Sequence, residues 1–167
     1  FCLSRGLGDV YKRQTQDRQR IHESWEEIRK RGYSMSEEQV QDAQTHSSSK
    51  LVFERMISAL NRHDLDAMVA CFAPDYRSEQ PVHPERAFTG QAGVRKNWSF
   101  FFTTMPDYQV EVLNETVEGD TVWAELHFHG TQTDGKKHST RGVSIQGISA
   151  DQIIWARLYI ESVQEPD

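Results

Sequence analysis

Between Thr121 and Thr131 the chain reads Thr-Val-Trp-Ala-Glu-Leu-His-Phe-His-Gly-Thr, with a bulky polar or titratable side chain at every second position. Successive side chains of a strand point to opposite sides. Trp123, Glu125, His127 and His129 therefore share one face, and Val122, Ala124, Leu126 and Phe128 the other. The pattern returns near the C-terminus, where Ile154, Ala156, Leu158 and Ile160 alternate with Trp155, Arg157, Tyr159 and Glu161. If both polar faces look into a cavity, Glu125, His127, His129, Arg157, Tyr159 and Glu161 converge there with Glu79 from an earlier short strand. Such a set suits acid–base work on a small organic molecule, because a semi-buried Glu has its pKa raised and His titrates near neutrality. Trp98, Phe102, Trp123, Trp155 and Tyr159 would then supply flat walls for a ligand. If the oily faces look inward instead, the same polar residues form an outer surface or a subunit contact. The alternation alone leaves both arrangements open.

Two histidines on one side of a strand also raise the question of a metal. No carboxylate follows between Gly130 and Thr133, so zinc or iron would need a further ligand from elsewhere, such as Glu125 or His138. The reading therefore expects neither a metal nor an organic cofactor. His83, between two prolines, reads as a loop residue, and Lys136-Lys137-His138, just after a turn signal, as a solvated hairpin tip.

The elements that hold these residues are legible in order. The 167 residues carry a formal net charge of −6 and a pI near 5.6, which suits one domain with a single core and argues against a nucleic-acid partner. No apolar run approaches bilayer length and no secretory signal pattern opens the sequence, so a cytoplasmic location is expected. Cys2 and Cys71 make no disulfide framework, and two Asn-x-Ser/Thr matches, at Asn97 and Asn114, are read as accidental. Residues 1–14 look foreign, Asp9–Gln14 reading like a translated transposon-end sequencing adapter. Residues 15–46 form a polar extension, partly helical or disordered, and residues 47–165 the main domain. Met35 is the expected native start; an intact mass that includes residues 15–34, from protein made at its own locus, would refute this.

Ser47-Ser48-Ser49 can supply an N-cap to a helix in which Phe53, Met56, Ile57 and Leu60 fall at i, i+3, i+4 and i+7. Asp64 caps a second helix with Leu65, Met68, Val69 and Phe72 at the same spacing, ended by Pro74. Tyr76 to Gln80 reads as a short strand. Thr89-Gly90 opens a third helix that presents Val94, Trp98, Phe101, Phe102 and Met105, and Pro106 closes it. From Tyr108 the period becomes two, with turn signals at Glu118-Gly119-Asp120, Thr133-Asp134-Gly135 and Ser149-Ala150-Asp151, which gives a four-strand antiparallel meander. The expected fold is α+β, with three helical stripes packed on one curved face of a mainly antiparallel sheet.

That order, carried by Ala59–Met68, Phe72-Ala-Pro-Asp-Tyr76, Phe88–Val94 and the final strand pair Gly142–Glu161, resembles the SnoaL-like branch of the nuclear-transport-factor-2-like superfamily. The resemblance spans roughly residues 50–163 and implies a cystatin-like α+β cone with a pocket between helices and sheet. It implies a hydrophobic small molecule as partner, homodimers through the outer sheet face, and activities from isomerase, cyclase and hydrolase to pure binding. The catalytic trio of isomerase members and the Asp-Arg-Asp set of epoxide-hydrolase members do not map residue by residue. Glu79 falls where many SnoaL-like sequences have an inward histidine or acid. Two functions follow: a cofactor-independent enzyme using a Glu or His base on a polyketide, terpenoid or steroid-like compound, or a non-catalytic binding or dimerisation module.

Overall fold

A computed structural model describes residues 36–163, so the adapter-like segment, residues 15–35 of the polar extension and the start at Met35 lie outside the described residues. Of these, residues 41–163 belong to one compact unit. The elements are helix α1 (Glu37–Asn61), helix α2 (Leu65–Ala70), strand β1 (Phe72–Glu79), a 3-10 turn (Pro84–Arg86), strand β2 (Phe88–Thr89), helix α3 (Gly90–Thr104), and strands β3 (Gln109–Glu118), β4 (Thr121–Thr131), β5 (Lys137–Ser149) and β6 (Gln152–Ser162).

Helix α1 starts earlier than the serine run. Ser36 and Gln39 bond reciprocally, side chain to backbone N–H, in a capping box. The serine run lies inside the helix, where Ser49 is buried and Ser48 Oγ donates to Asp151 Oδ1 at 3.0 Å. With Arg55 Nη2 donating to the Asp151 carbonyl at 2.7 Å, α1 grips the β5–β6 turn, where Ala150 and Asp151 both hold positive φ. At its other end, Asn61 Oδ1 accepts from Val110 N–H and its Nδ2 donates to the Val110 carbonyl. One amide thus stands in for a neighbouring strand along the open edge of β3. Asp64 caps α2 as expected, its carboxylate accepting from Ala67 N–H.

Helix α2 ends before Phe72, which begins β1 rather than completing a helical stripe. Strand β1 runs through Pro74, and its pairing with β6 breaks register between Phe72 and Arg77. Proline has no N–H to give a ladder, so the irregularity falls where the sequence puts it. The six strands are ordered β2-β1-β6-β5-β4-β3. β1 and β6 are parallel and the other pairs antiparallel. The meander and its three turns stand where the turn residues place them.

The core decides which way the sheet faces. Val122, Ala124, Leu126 and Phe128 of β4 are all buried, and they join Phe53, Met56 and Leu60 of α1, Met68 and Val69 of α2, and Val94 of α3 in one cluster. Burying such side chains contributes roughly 1.5–3 kcal/mol each. Trp123 and Glu125 are exposed and His127 and His129 half-buried on the opposite side. The oily faces look inward, the second of the two arrangements open from the sequence.

Candidate ligand-binding site

The helices and the inner sheet face enclose a cavity of about 570 Å³, within the range of roughly 300–1,000 Å³ usual for small-molecule sites. Leu60 of α1, Val94, Trp98 and Phe101 of α3, and Leu126 and Phe128 of β4 form much of its apolar wall. The rings on one side pack on each other: Phe101 stacks on Tyr108 at 5.2 Å and 8°, and Tyr108 on Phe128 at 6.1 Å and 19°. The wall is apolar because each contributing element turns its hydrophobic stripe toward the cone, α3 at helical spacing and β4 at every second residue.

Part of the polar lining comes from inward positions of the sheet, and Gln80, Arg86 of the 3-10 turn and Asn97 of α3 add to it. Ser78 on β1 and Ser144 and Gln146 on β5 are buried and line the cavity. Gln146 Nε2 donates to Ser144 Oγ at 3.3 Å. Gln146 Oε1 and Ser78 Oγ have no partner among the described residues. An unsatisfied buried polar atom costs about 1–3 kcal/mol, so both call for a water or a ligand group. Burial pushes the Tyr76 phenol up to about 12, and the neighbouring Ser78 hydroxyl counters only part of that rise. Ser78 Oγ sits near this phenol without reaching hydrogen-bond geometry. Tyr108 is likewise raised by burial. Both phenols are neutral donors at physiological pH.

His138 is part of this wall, not a solvated tip. Its ring lies 5.9 Å from Tyr108 and 6.3 Å from Phe101, and partial burial holds its pKa below the ordinary histidine value. The folded state thus disfavours the imidazolium. Below about pH 6.5 the unfolded chain binds a proton that the native chain resists, so His138 removes stability as pH falls through that value and not as it rises. A side-chain NMR titration is expected to give His138 a midpoint below 6.5; a midpoint above it would contradict the packing described here.

The proposed acid–base set is not gathered in this cavity. Glu79, Glu125, His127, His129, Arg157 and Glu161 are all absent from the lining, as are Trp123, Trp155, Tyr159 and Phe102. The reason is strand parity: once Ala156, Leu158 and Ile160 point inward, Arg157, Tyr159 and Glu161 must point out. The carboxylates are engaged on the outer face or its rim. Glu79 Oε2 accepts from Arg157 Nε at 2.9 Å, and this partner raises the guanidinium pKa. Glu161 pairs with His83 at 2.8 Å, so His83 is a tethered residue of its loop. Glu125 lies 3.6 Å from Arg141. Arg157 also sits over the Trp155 ring at 5.5 Å, and Phe102 stacks on His63 at 4.4 Å and 12°. Of the residues singled out in the sequence, Trp98 lines the cavity.

The sequence reading gave no cavity role to Ser78, His138, Ser144 or Gln146. The available signal was Ser144 and Gln146 on the same parity as Ile148, two polar residues on a side that ends apolar. Among the described residues, no carboxylate lines the cavity. On the outer face, Glu111 of β3 is paired with His127 in register and groups with His127 and His129. The third metal-type ligand therefore comes from β3 and not from Glu125 or His138.

A cone of this topology with an apolar pocket defines a class, and the comparisons agree with it. The SnoaL-like domain model matches residues 53–156, and the chain belongs to that family. Its structural relatives include a protein assigned as a SnoaL-like polyketide cyclase from Jannaschia sp. CCS1. That protein is 19% identical with a TM-score of 0.61, covering 77% of this chain and 91% of the other. A protein assigned as a ketosteroid isomerase from Kribbella flavida DSM 17836 is 18% identical with a TM-score of 0.60, covering 73% and 84%. An LEH-like epoxide hydrolase from M. tuberculosis is 14% identical with a TM-score of 0.61, covering 70% and 84%. At these identities the likeness shows the fold alone. A search of curated protein sequences finds no match. No described helix is long and apolar enough to cross a membrane.

Proposed function

We propose that this domain binds an apolar, ring-containing small molecule, of polyketide, terpenoid or steroid-like character, inside the cone. The observation that carries this reading is the aromatic-walled cavity with Gln146 Oε1 and Ser78 Oγ left unpaired at its sheet wall. A neutral hydroxyl on the ligand would donate to Gln146 Oε1 while its rings lie against Trp98, Phe101 and Phe128. Chemical-shift mapping with a panel of polycyclic alcohols and ketones tests it. Shifts are expected at the Trp98 indole and His138 ring; shifts confined to the outer-face histidines, or none with any compound, would refute it.

One observation favours a catalytic version. His138 is kept neutral by its burial in the wall, so it has a free lone pair for a ligand proton, as a general base requires. An isomerase, cyclase or hydrolase built on this site would use His138 and not a carboxylate. His138→Gln would then abolish turnover while leaving ligand affinity within a few-fold; turnover that survives this change would rule the version out.

The domain also forms homodimers in this reading, through the outer sheet face. Trp123 at 42% and Tyr159 at 41% exposure stand there, in register with Ile145 and Val143. Light scattering on Trp123→Glu checks it, a monomer being expected where the parent is a dimer.

A further inference from the structure

We infer that Glu111, His127 and His129 form a binding site for a divalent transition-metal ion on the outer face of the sheet, away from the cavity. Three observations converge. First, the register places the ligands together: Glu111 pairs with His127 across β3 and β4, and His129 lies two residues along on the same face. One ligand atom from each residue falls within 4.8 Å of the other two.

Second, the separations fit a metal better than a hydrogen bond. Glu111 Oε2 is 3.6 Å from His127 Nδ1, and Glu111 Oε1 is 3.5 Å from His129 Nε2. Both exceed the N–H···O range of about 2.7–3.2 Å. Bonds of about 2.0–2.2 Å in a tetrahedron put neighbouring ligand atoms about 3.4 Å apart.

Third, the ring nitrogen of His127 that points away from Glu111 has a partner of its own. His127 Nε2 lies 2.9 Å from Ser139 Oγ on β5. With Nε2–H donating to that hydroxyl, Nδ1 carries the lone pair and faces the Glu111 carboxylate. A lone pair opposite a carboxylate repels unless a cation lies between them. Ligating histidines commonly donate their second ring nitrogen in this way, which fixes the tautomer and the ring. Ser139 is thus a positioning residue.

Two imidazoles and a carboxylate are the donor set of open zinc sites and of non-haem iron(II) sites. Glu111 is exposed and His127 and His129 are half-buried, which leaves room for a fourth ligand such as water or a substrate oxygen. Arg141, opposite His127 on β5, is engaged by Glu125; it is the neighbouring cation that a bound metal must share the face with.

The test uses the full chain without a histidine tag, stripped with chelator and titrated with Zn²⁺ by calorimetry. One equivalent per chain is expected, with micromolar or tighter affinity. His129→Ala and Glu111→Gln are each expected to weaken it about 100-fold, and Ser139→Ala about tenfold, the scale on which outer partners act. His83→Ala, at an imidazole far along the chain with its own carboxylate partner, leaves it unchanged. Melting curves without zinc check that each variant folds. Absence of zinc binding by the parent chain would overturn the assignment, as would an affinity that His129→Ala and Glu111→Gln both leave intact.

Discussion

Alanine at position 142 is expected to destabilise the domain by about 3 kcal/mol or more, the upper end of what overpacking costs. A Cβ on Gly142 would stand 1.9 Å from the Tyr159 carbonyl oxygen and 2.7 Å from Ile160 Cα. Both obstacles are backbone of the adjacent strand β6, so no side chain can swing aside to make room. The β5–β6 ladder would have to part where Gly142 pairs with Ile160, beside the cavity wall that Ile160 helps to form. Gly119→Ala is the informative comparison. It has open space around it but a φ of +57°, and its cost is limited to the roughly 1–2 kcal/mol of a left-handed residue. Urea unfolding of the two variants should separate them by more than 1 kcal/mol; equal midpoints would mean that β5 and β6 do not approach as described.

The second large effect concerns the cavity. Ala156 lies on β6 between Ser78 of β1 and Gln146 of β5 in register, is 2% exposed and lines the pocket. Ala156→Phe would project a ring into the space that the proposed ligand occupies and across the two unpaired polar atoms. Loss of at least 100-fold in ligand affinity is expected, about 2.7 kcal/mol. Leu158→Trp, farther along the same lining strand, should act in the same direction. Glu125→Gln, on the outer face, should not change affinity. The comparison is direct, since the alternation in β4 and β6 permits either face to line the pocket. Full loss on Glu125→Gln with none on Ala156→Phe would put the ligand elsewhere. Circular dichroism on each variant separates a filled cavity from a failed fold.

Much of the architecture was legible because it rests on local rules. Asp64 caps its helix through its own carboxylate, and the turns sit at the turn signals, with Gly119, Gly135 and Asp151 taking the positive φ that Gly and Asp accept most readily and Ala150 taking it as well. The period of two after Tyr108 gave the meander, and the stripe Val94–Met105 gave α3. Local rules also set the errors. A serine run is a good cap in isolation, yet a helix already nucleated at Ser36 runs through it, since propagation is easier than initiation. Phe72 fits a helical stripe by spacing, but Phe72 instead pairs with Ile153 in the sheet.

The site was less legible, and the reason is symmetry. A strand with two dissimilar faces announces that its faces differ without saying which one is inside. The sequence by itself determined the SnoaL-like cone, the strand order of the meander and the membership of each face of β4; in β6 a register shift beside Gly147 and Ile148 buries Ile153 in the core in place of the expected Ile154. Direction came from the packing of three helices, because Phe53, Met68 and Val94 could bury their surface only against Val122, Leu126 and Phe128. That choice sent Glu125, His127 and Arg157 outward and brought Ser78, His138 and Gln146 to the cavity. It also set Glu111 beside the two histidines, sixteen residues before the first of them, a proximity that strand pairing creates and that no linear spacing displays.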